Sequence, residues 1–258
     1  MPRCRFPRST PMAVRRLIPL AVACALATAA ALPAPAHARA AREPFCATHK
    51  CIALTFDDGP GQYNQTLLKT LATYKAKATF FLIGSEVKKH PKLTQAIAKA
   101  GHEIGNHSWD GRYLTELTYA EINKKIGDTQ RLITKTTGKA PVVFRAPGGL
   151  RNGGVEELTA KFGLIQIPGT TATKDYIKDY RNVDFLTSRA LEIAGEGEVV
   201  LMHETVKETV ESMPKVLKEL TAQGYHFVTV STLLEGEELI PGQVYPDPSR
   251  DSMTMTVE

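Results

Sequence analysis

Cysteine is scarce in this chain, with four in 258 residues. Long apolar runs are missing as well. The longest, Leu17 to Leu32, falls short of the ~20 residues a bilayer-spanning helix needs. No segment repeats, which excludes a solenoid, and no long low-complexity linker breaks the chain. Acids and lysines are absent from residues 1–40, which carry six arginines. That composition, a basic leader followed by an apolar stretch and the small-residue sites Ala36-His37-Ala38 or Ala38-Arg39-Ala40, reads as a secretory signal peptide. Met12-Ala13-Val14-Arg15-Arg16 would serve equally well as the start of such a leader.

Without the leader there is no excess of basic charge. Of 32 basic residues, 26 remain after residue 40, against 27 acidic ones, a net of about −1. The basic balance of the whole chain therefore gives no argument for nucleic-acid binding. The remaining 218 residues suffice for one domain with a full core. Cys4 and Cys24 leave with the leader, so Cys46 and Cys51 are the only thiols left. In an exported protein they are expected to form a disulfide that pins the new N-terminus to the first strand. Two free thiols are the alternative. A Cys-x4-Cys metal clip lacks its second ligand pair.

Apolar strand-like runs alternate with helical patterns. Strands are predicted at Cys51–Phe56, Ala78–Ile83, Glu103–Asn106, Val142–Arg145, Leu164–Ile167, Glu198–Met202 and His226–Thr229. Helices are predicted at Gln65–Tyr74, Pro91–Ala100, Tyr119–Thr137, Val155–Phe162, Asp184–Ala194 and Ser212–Gln223. Thr118 with Glu121 three residues on makes a capping box for the third of these. This alternation implies an α/β fold, a barrel of about seven parallel strands that is closed or nearly so. The expected domain runs over 41–234. Beyond Leu234 the pattern weakens, and Pro241 to Glu258 reads as part of a loose C-terminal tail, 235–258.

Chemistry gathers after the strands. Asp57 and Asp58 follow the first strand and precede Gly59-Pro60, which turns the chain. His107 follows the third strand, Arg145 ends the fourth and His203 follows the sixth. Two adjacent carboxylates with imidazoles in reach suit hydrolysis, one carboxylate holding a metal and the other taking a proton. Each residue also has a plainer reading. Paired aspartates at a strand end are often turn caps, a lone histidine beside a sheet is often a satisfied core group, and Lys88-Lys89 reads as a solvated face.

Four segments occur in order: Thr55-Phe56-Asp57-Asp58-Gly59-Pro60, Gly105-Asn106-His107-Ser108-Trp109, Phe144-Arg145-Ala146-Pro147-Gly148-Gly149 and Val200-Leu201-Met202-His203-Glu204. Together they resemble the motifs of the polysaccharide deacetylases (carbohydrate esterase family 4, the NodB-like domain), over roughly residues 50–234. The resemblance implies a distorted (β/α) barrel and a divalent metal, commonly zinc. It implies Asp57 as general base, Asp58 and His107 as metal ligands, Arg145 as the partner that keeps Asp57 ionised, and His203 as general acid. Leu201 would line the pocket for the acetyl methyl, and the Pro147-Gly148 turn would offer the Gly148 N–H to the oxyanion. Lys174-Asp175-Tyr176 resembles the family's Arg-Asp-Trp, which makes Asp175 the residue that orients His203. Trp109 and Tyr176 read either as sugar-stacking faces or as packing.

The sequence also departs from the family pattern. The first histidine is normally followed by a second in His-Ser/Thr-x-x-His, the third metal ligand one helical turn on. Here that position is Gly111, whereas catalytic zinc normally takes three protein ligands and a water. Asp110, a water or a distant side chain would have to fill the gap. Gly169 stands for the usual Trp, Ala172 for Asp, Gly148 for an aromatic and Glu204 for Asp. The leading expectation is an exported metal-dependent deacetylase of an acetylated glycan, whether chitin-like, peptidoglycan or xylan. The alternatives are a catalytically impaired glycan binder and a C–N hydrolase of a small amide.

Overall fold

The computed structural model describes residues 43–246; the expected signal peptide lies outside them. Eight strands form one sheet in which every pairing is parallel: β1 (Cys51–Gly59), β2 (Thr79–Leu82), β3 (Glu103–Asn106), β4 (Val143–Phe144), β5 (Ile165–Gln166), β6 (Thr171–Ala172), β7 (Val199–His203) and β8 (His226–Phe227). Their order is β5-β4-β3-β2-β1-β7-β6, with β8 pairing the start of β1. The sheet curls into an incompletely closed barrel. The expected barrel of about seven parallel strands is what is found; β6 is a further two-residue strand with no apolar run to announce it in the sequence.

Among the described residues eight α-helices accompany the strands: α1 (Asn64–Thr73), α2 (Gly84–Lys89), α3 (Pro91–Lys99), α4 (Tyr119–Thr137), α5 (Gly153–Lys161), α6 (Val183–Glu192), α7 (Lys207–Ala222) and α8 (Val230–Leu233). α4 starts where the sequence places it. The Thr118 side chain accepts from the Glu121 N–H and the Glu121 side chain accepts from the Thr118 N–H. α7 starts five residues earlier than predicted and carries Pro214 in its interior, a residue that reads in sequence as belonging near a helix start.

Strand alternation sorts the core into two layers. Ile52, Leu54 and Phe56 of β1, Phe80 and Leu82 of β2, and Val200 and Met202 of β7 face the helices, in a cluster with Leu67, Leu71, Met213 and Leu217. Ala53, Phe81, Val143, Ile165, Ile167 and Val199 face inward and form a smaller cluster with Val230. The inward set of β1 therefore continues as Thr55 and Asp57, and that of β7 as Leu201 and His203.

Cys46 and Cys51 form the expected disulfide, with Cα atoms 5.6 Å apart. The segment read as a loose tail is docked as far as it is described. Val244 bridges Gln166, the Gln166 side chain donates to the Gly242 carbonyl, and Leu239 and Tyr245 pack on the inner cluster. The turn residues there hid from sequence a pairing made by backbone groups, which carries no periodic signal.

Candidate active site

Asp57 and Asp58 are neighbours, and on a regular strand they would point to opposite faces. The register of β1 against β2 slips between Asp57 and Gly59, and Asp58 adopts a left-handed backbone (φ 68°). Asp57 consequently stays on the inner face, nearly inaccessible, while Asp58 turns to the barrel mouth with 40% of its side chain exposed. A non-glycine residue at positive φ is a local strain that a surrounding structure must hold.

Arg145 is fully buried and spans the inner layer. Its Nη1 donates to Asp57 Oδ1 at 2.7 Å and to Thr55 Oγ1 at 2.8 Å, and its Nε donates to the Ile167 carbonyl at 2.7 Å. The guanidinium lies over the Phe81 ring, 4.1 Å from its centroid. Thr55 went unnoticed in the sequence, although alternation places it on the same face as Asp57. Nη2 is buried and has no protein partner.

His107 sits one residue past β3. Its Nδ1 bonds the Arg145 carbonyl at 2.7 Å, so that nitrogen carries the proton and Nε2 is free. Nε2 lies 3.5 Å from Asp58 Oδ1 and 3.9 Å from Asp57 Oδ2. Burial works against the imidazolium, but the charges of Asp57 and Asp58 outweigh it and raise the His107 pKa. The same negative potential attracts a cation. Asp58 is held below the ordinary carboxylate range: burial opposes this, and contact with His107 and the charge of His203 overcome it.

His203 closes the other side. Its Nδ1 lies 2.8 Å from Asp175 Oδ1 and its backbone N–H donates to Asp175 Oδ2 at 2.7 Å. Thr209 of α7 donates to the same oxygen, and Asp175 is wholly buried. His203 Nε2 faces Asp58 Oδ2 at 3.9 Å. Burial pushes this imidazole down, yet Asp175, helped by Asp57 and Asp58, holds it up at about 9. The next residue, Glu204, is buried against Gly59 and accepts from Asn64 Nδ2 at 2.7 Å. Burial raises its carboxyl to about 8 against the bonds from Asn64 and the Gly61 N–H.

Among the other expected site residues, Leu201 lies on the inner face two residues before His203 and opposite Ala172. Pro147 is buried, and Gly148 in the following turn has φ 65°. Tyr176 is 52% exposed, with its ring edge-on to His203 at 6.0 Å. For Trp109 the structure supports the packing reading: a Cβ on Gly84 would lie 2.7 Å from its Cε3, so the half-buried ring packs over the start of α2.

A correction concerns the turn at Gly111. Residues 109–112 form bends, not a helical turn. Asn106 Oδ1 accepts from the Ser108 N–H, and Ser108 has φ 63°, which sends the chain away from helical geometry. A Cβ at Gly111 would meet nothing within 4 Å. Asp110 does not fill the gap, because its carboxylate pairs with Lys125 and accepts from the Arg112 N–H. Among the described residues no three His, Cys, Asp or Glu side chains form a metal-holding group. The chemistry of the Asp58–His107 pair still fits a divalent cation: a carboxylate oxygen, and an imidazole whose Nε2 faces that oxygen and can give up its proton to a metal. It does so with two protein ligands.

The polysaccharide deacetylase family model matches residues 46–167. A peptidoglycan-N-acetylglucosamine deacetylase, PgdA, from Listeria monocytogenes is 38% identical over 220 residues, 85% of this chain and 46% of its own length. The chain thus spans about half the length of that relative. A peptidoglycan-N-acetylglucosamine deacetylase from Bacillus cereus is 39% identical over 191 residues, 72% of this chain and 88% of that one. Among solved structures, a "T48 deacetylase with substrate" superposes with a TM-score of 0.73 at 34% identity, covering 78% of this chain and 98% of that one. A CE4 family pseudoenzyme from Bacillus anthracis gives 0.69 at 28% identity, covering 76% and 69%. With those likenesses added to a parallel barrel whose mouth gathers Asp57, Asp58, His107, Arg145 and His203, the chain belongs to the polysaccharide deacetylase family.

Proposed function

We propose that this protein is an exported, metal-dependent deacetylase that removes acetyl groups from a glycan, with peptidoglycan the first substrate to test. The observation that carries this reading is the pair of opposed, independently anchored groups at the barrel mouth. Asp57 is fixed by Arg145 on one side, His203 is fixed by Asp175 on the other, and Asp58 lies between them. Asp57, oriented by the guanidinium, accepts the proton of the attacking water. His203, protonated at neutral pH, donates to the departing nitrogen, the harder half of amide cleavage. Asp58 and His107 Nε2 would hold a divalent cation, zinc by the family's habit, which when bound supplies polarisation of the acetyl carbonyl and activation of water. The Gly148 N–H stabilises charge growing on that oxygen, and Leu201 receives the methyl. Peptidoglycan is favoured because the relatives named above act on it, and the leader in the sequence directs the chain out of the cell.

The test is acetate release from peptidoglycan and chitohexaose, with metal added and removed. Asp57→Asn should abolish release yet retain metal, since Asp57 is the base and not a ligand. Loss of bound metal in that variant would exchange the roles of Asp57 and Asp58. Gly111 favours a second reading, a glycan binder with little turnover. Glycan binding without acetate release at any metal concentration would establish it.

A further inference from the structure

Position 148 cannot carry a side chain, because its space is taken. A Cβ there would lie 2.4 Å from Cε1 of Tyr113 and 2.9 Å from its Cδ1, so the tyrosine ring rests directly on the Gly148 backbone. Gly148 also has φ 65°, a conformation that disfavours any side chain. Tyr113 is nevertheless 45% exposed. The residue after it, Leu114, is wholly buried and anchors the loop. Other exposed tyrosines have evident work: Tyr119 donates through its hydroxyl to Glu157, and Tyr180 packs on Phe185. Among the described residues the Tyr113 hydroxyl has no hydrogen-bond partner, and one face of its ring is covered by a glycine turn.

That turn begins two residues after Arg145, at the β4 side of the mouth. Tyr176, equally exposed, stands at the β6–β7 side against His203. In strand order the Asp57–Asp58–His107 group lies between them. We infer that Tyr113 is a substrate-binding residue whose ring stacks on a pyranose unit of the glycan neighbouring the unit being deacetylated. This rests on the glycan reading above. The fit is chemical: the axial C–H faces of a pyranose match an aromatic face whose other side is already supported, and such a ring loses little freedom on binding. A small amide would reach the central carboxylates without touching a ring on the far side of Gly148.

Calorimetric binding of chitohexaose and of the N-acetylglucosamine monomer by the wild type, Tyr113→Phe and Tyr113→Ala, alongside hydrolysis of a small aryl acetate, tests this. Tyr113→Ala should weaken hexamer binding roughly tenfold, of the order expected for a stacking contact. Tyr113→Phe should bind within about twofold of wild type, and in Tyr113→Ala the monomer should lose much less affinity than the hexamer. If Tyr113→Ala lowers the melting temperature, Tyr113→Leu, which keeps apolar bulk without a flat ring, takes its place. Wild-type hexamer affinity in that variant, or equal losses for monomer and hexamer, would overturn the stacking role while leaving the deacetylase reading standing. A wild type that binds no hexamer but cleaves the aryl acetate would overturn both the stacking role and the glycan reading.

Discussion

At the residue scale, the site works by giving like groups unlike surroundings. Asp57 has a buried guanidinium at 2.7 Å and Asp175 has the His203 N–H and the Thr209 hydroxyl as donors besides the His203 ring, whereas Glu204 has burial and too few donors. Burial therefore favours the neutral acid form of Glu204. Asp175 is the lever on His203. With the carboxylate replaced by an amide, Asp175→Asn, burial is left to dominate and the imidazole falls from about 9 toward or below its ordinary value. The acid form is then lost at lower pH. We expect the alkaline limb of the kcat/KM profile to move down, with activity at pH 8 reduced by an amount approaching the ~10²–10⁴ of losing a general acid, and a smaller loss at pH 6. An unshifted alkaline limb would separate Asp175 from the protonation of His203.

At the element scale, the loop between β3 and α4 would decide how many side chains can hold a metal. It leaves β3 through His107, turns at Ser108 and reaches α4 only at Tyr119, so Gly111 lies in a bend with open space around it. Gly111→His therefore meets no steric obstacle. It should raise metal affinity by ~10-fold or more and raise acetate release, because a third protein ligand completes the usual set; chelator competition reads the first effect directly. No gain in affinity would mean that the bend directs residue 111 away from Asp58 and His107. The C-terminal strap is the second element with a consequence. Val244 bridges β5 while Leu239 and Tyr245 pack on the inner cluster. Truncation after Glu238 should lower the melting temperature by roughly 5–10 °C, from the loss of a partly buried aromatic and an apolar contact. A melting temperature equal to that of the full chain would show that the strap adds nothing.

At the scale of the whole folded unit, several buried groups give stability the same dependence on pH. The Glu204 carboxyl is raised from 4.5 to about 8 and His203 from 6.5 to about 9. In both cases the native state keeps a proton that the unfolded chain has already released. Their contribution is fully present below the unfolded pKa and is lost as pH rises through the folded one. Melting temperature should therefore fall between about pH 5 and pH 9. Glu204→Gln, neutral at every pH and near in shape, should flatten the part of that slope between about pH 5 and 8 and raise the melting temperature at pH 8 by a few degrees. A slope unchanged by the substitution would assign it to other groups.

The order of strands and helices and the four motif segments were legible in the sequence because they are local. An apolar run of period two, a capping box at Thr118–Glu121 and a strand followed by a polar pair announce themselves within a few residues. That residue 111 is a glycine is equally plain there, and the resemblance to the family pattern implies that it stands where a histidine ligand is usual. Contacts between distant segments were decided by the tertiary structure alone. Arg145 reaches Thr55 and Ile167 across the barrel, Thr209 of α7 steadies Asp175, Trp109 turns onto Gly84, and the Tyr113 ring fills the place above Gly148. The sense in which Asp57 and Asp58 share one mouth also depends on a register slip and a left-handed residue. These choices depend on which chain segments the closed packing brings within a few ångströms, and no periodicity in the sequence encodes that.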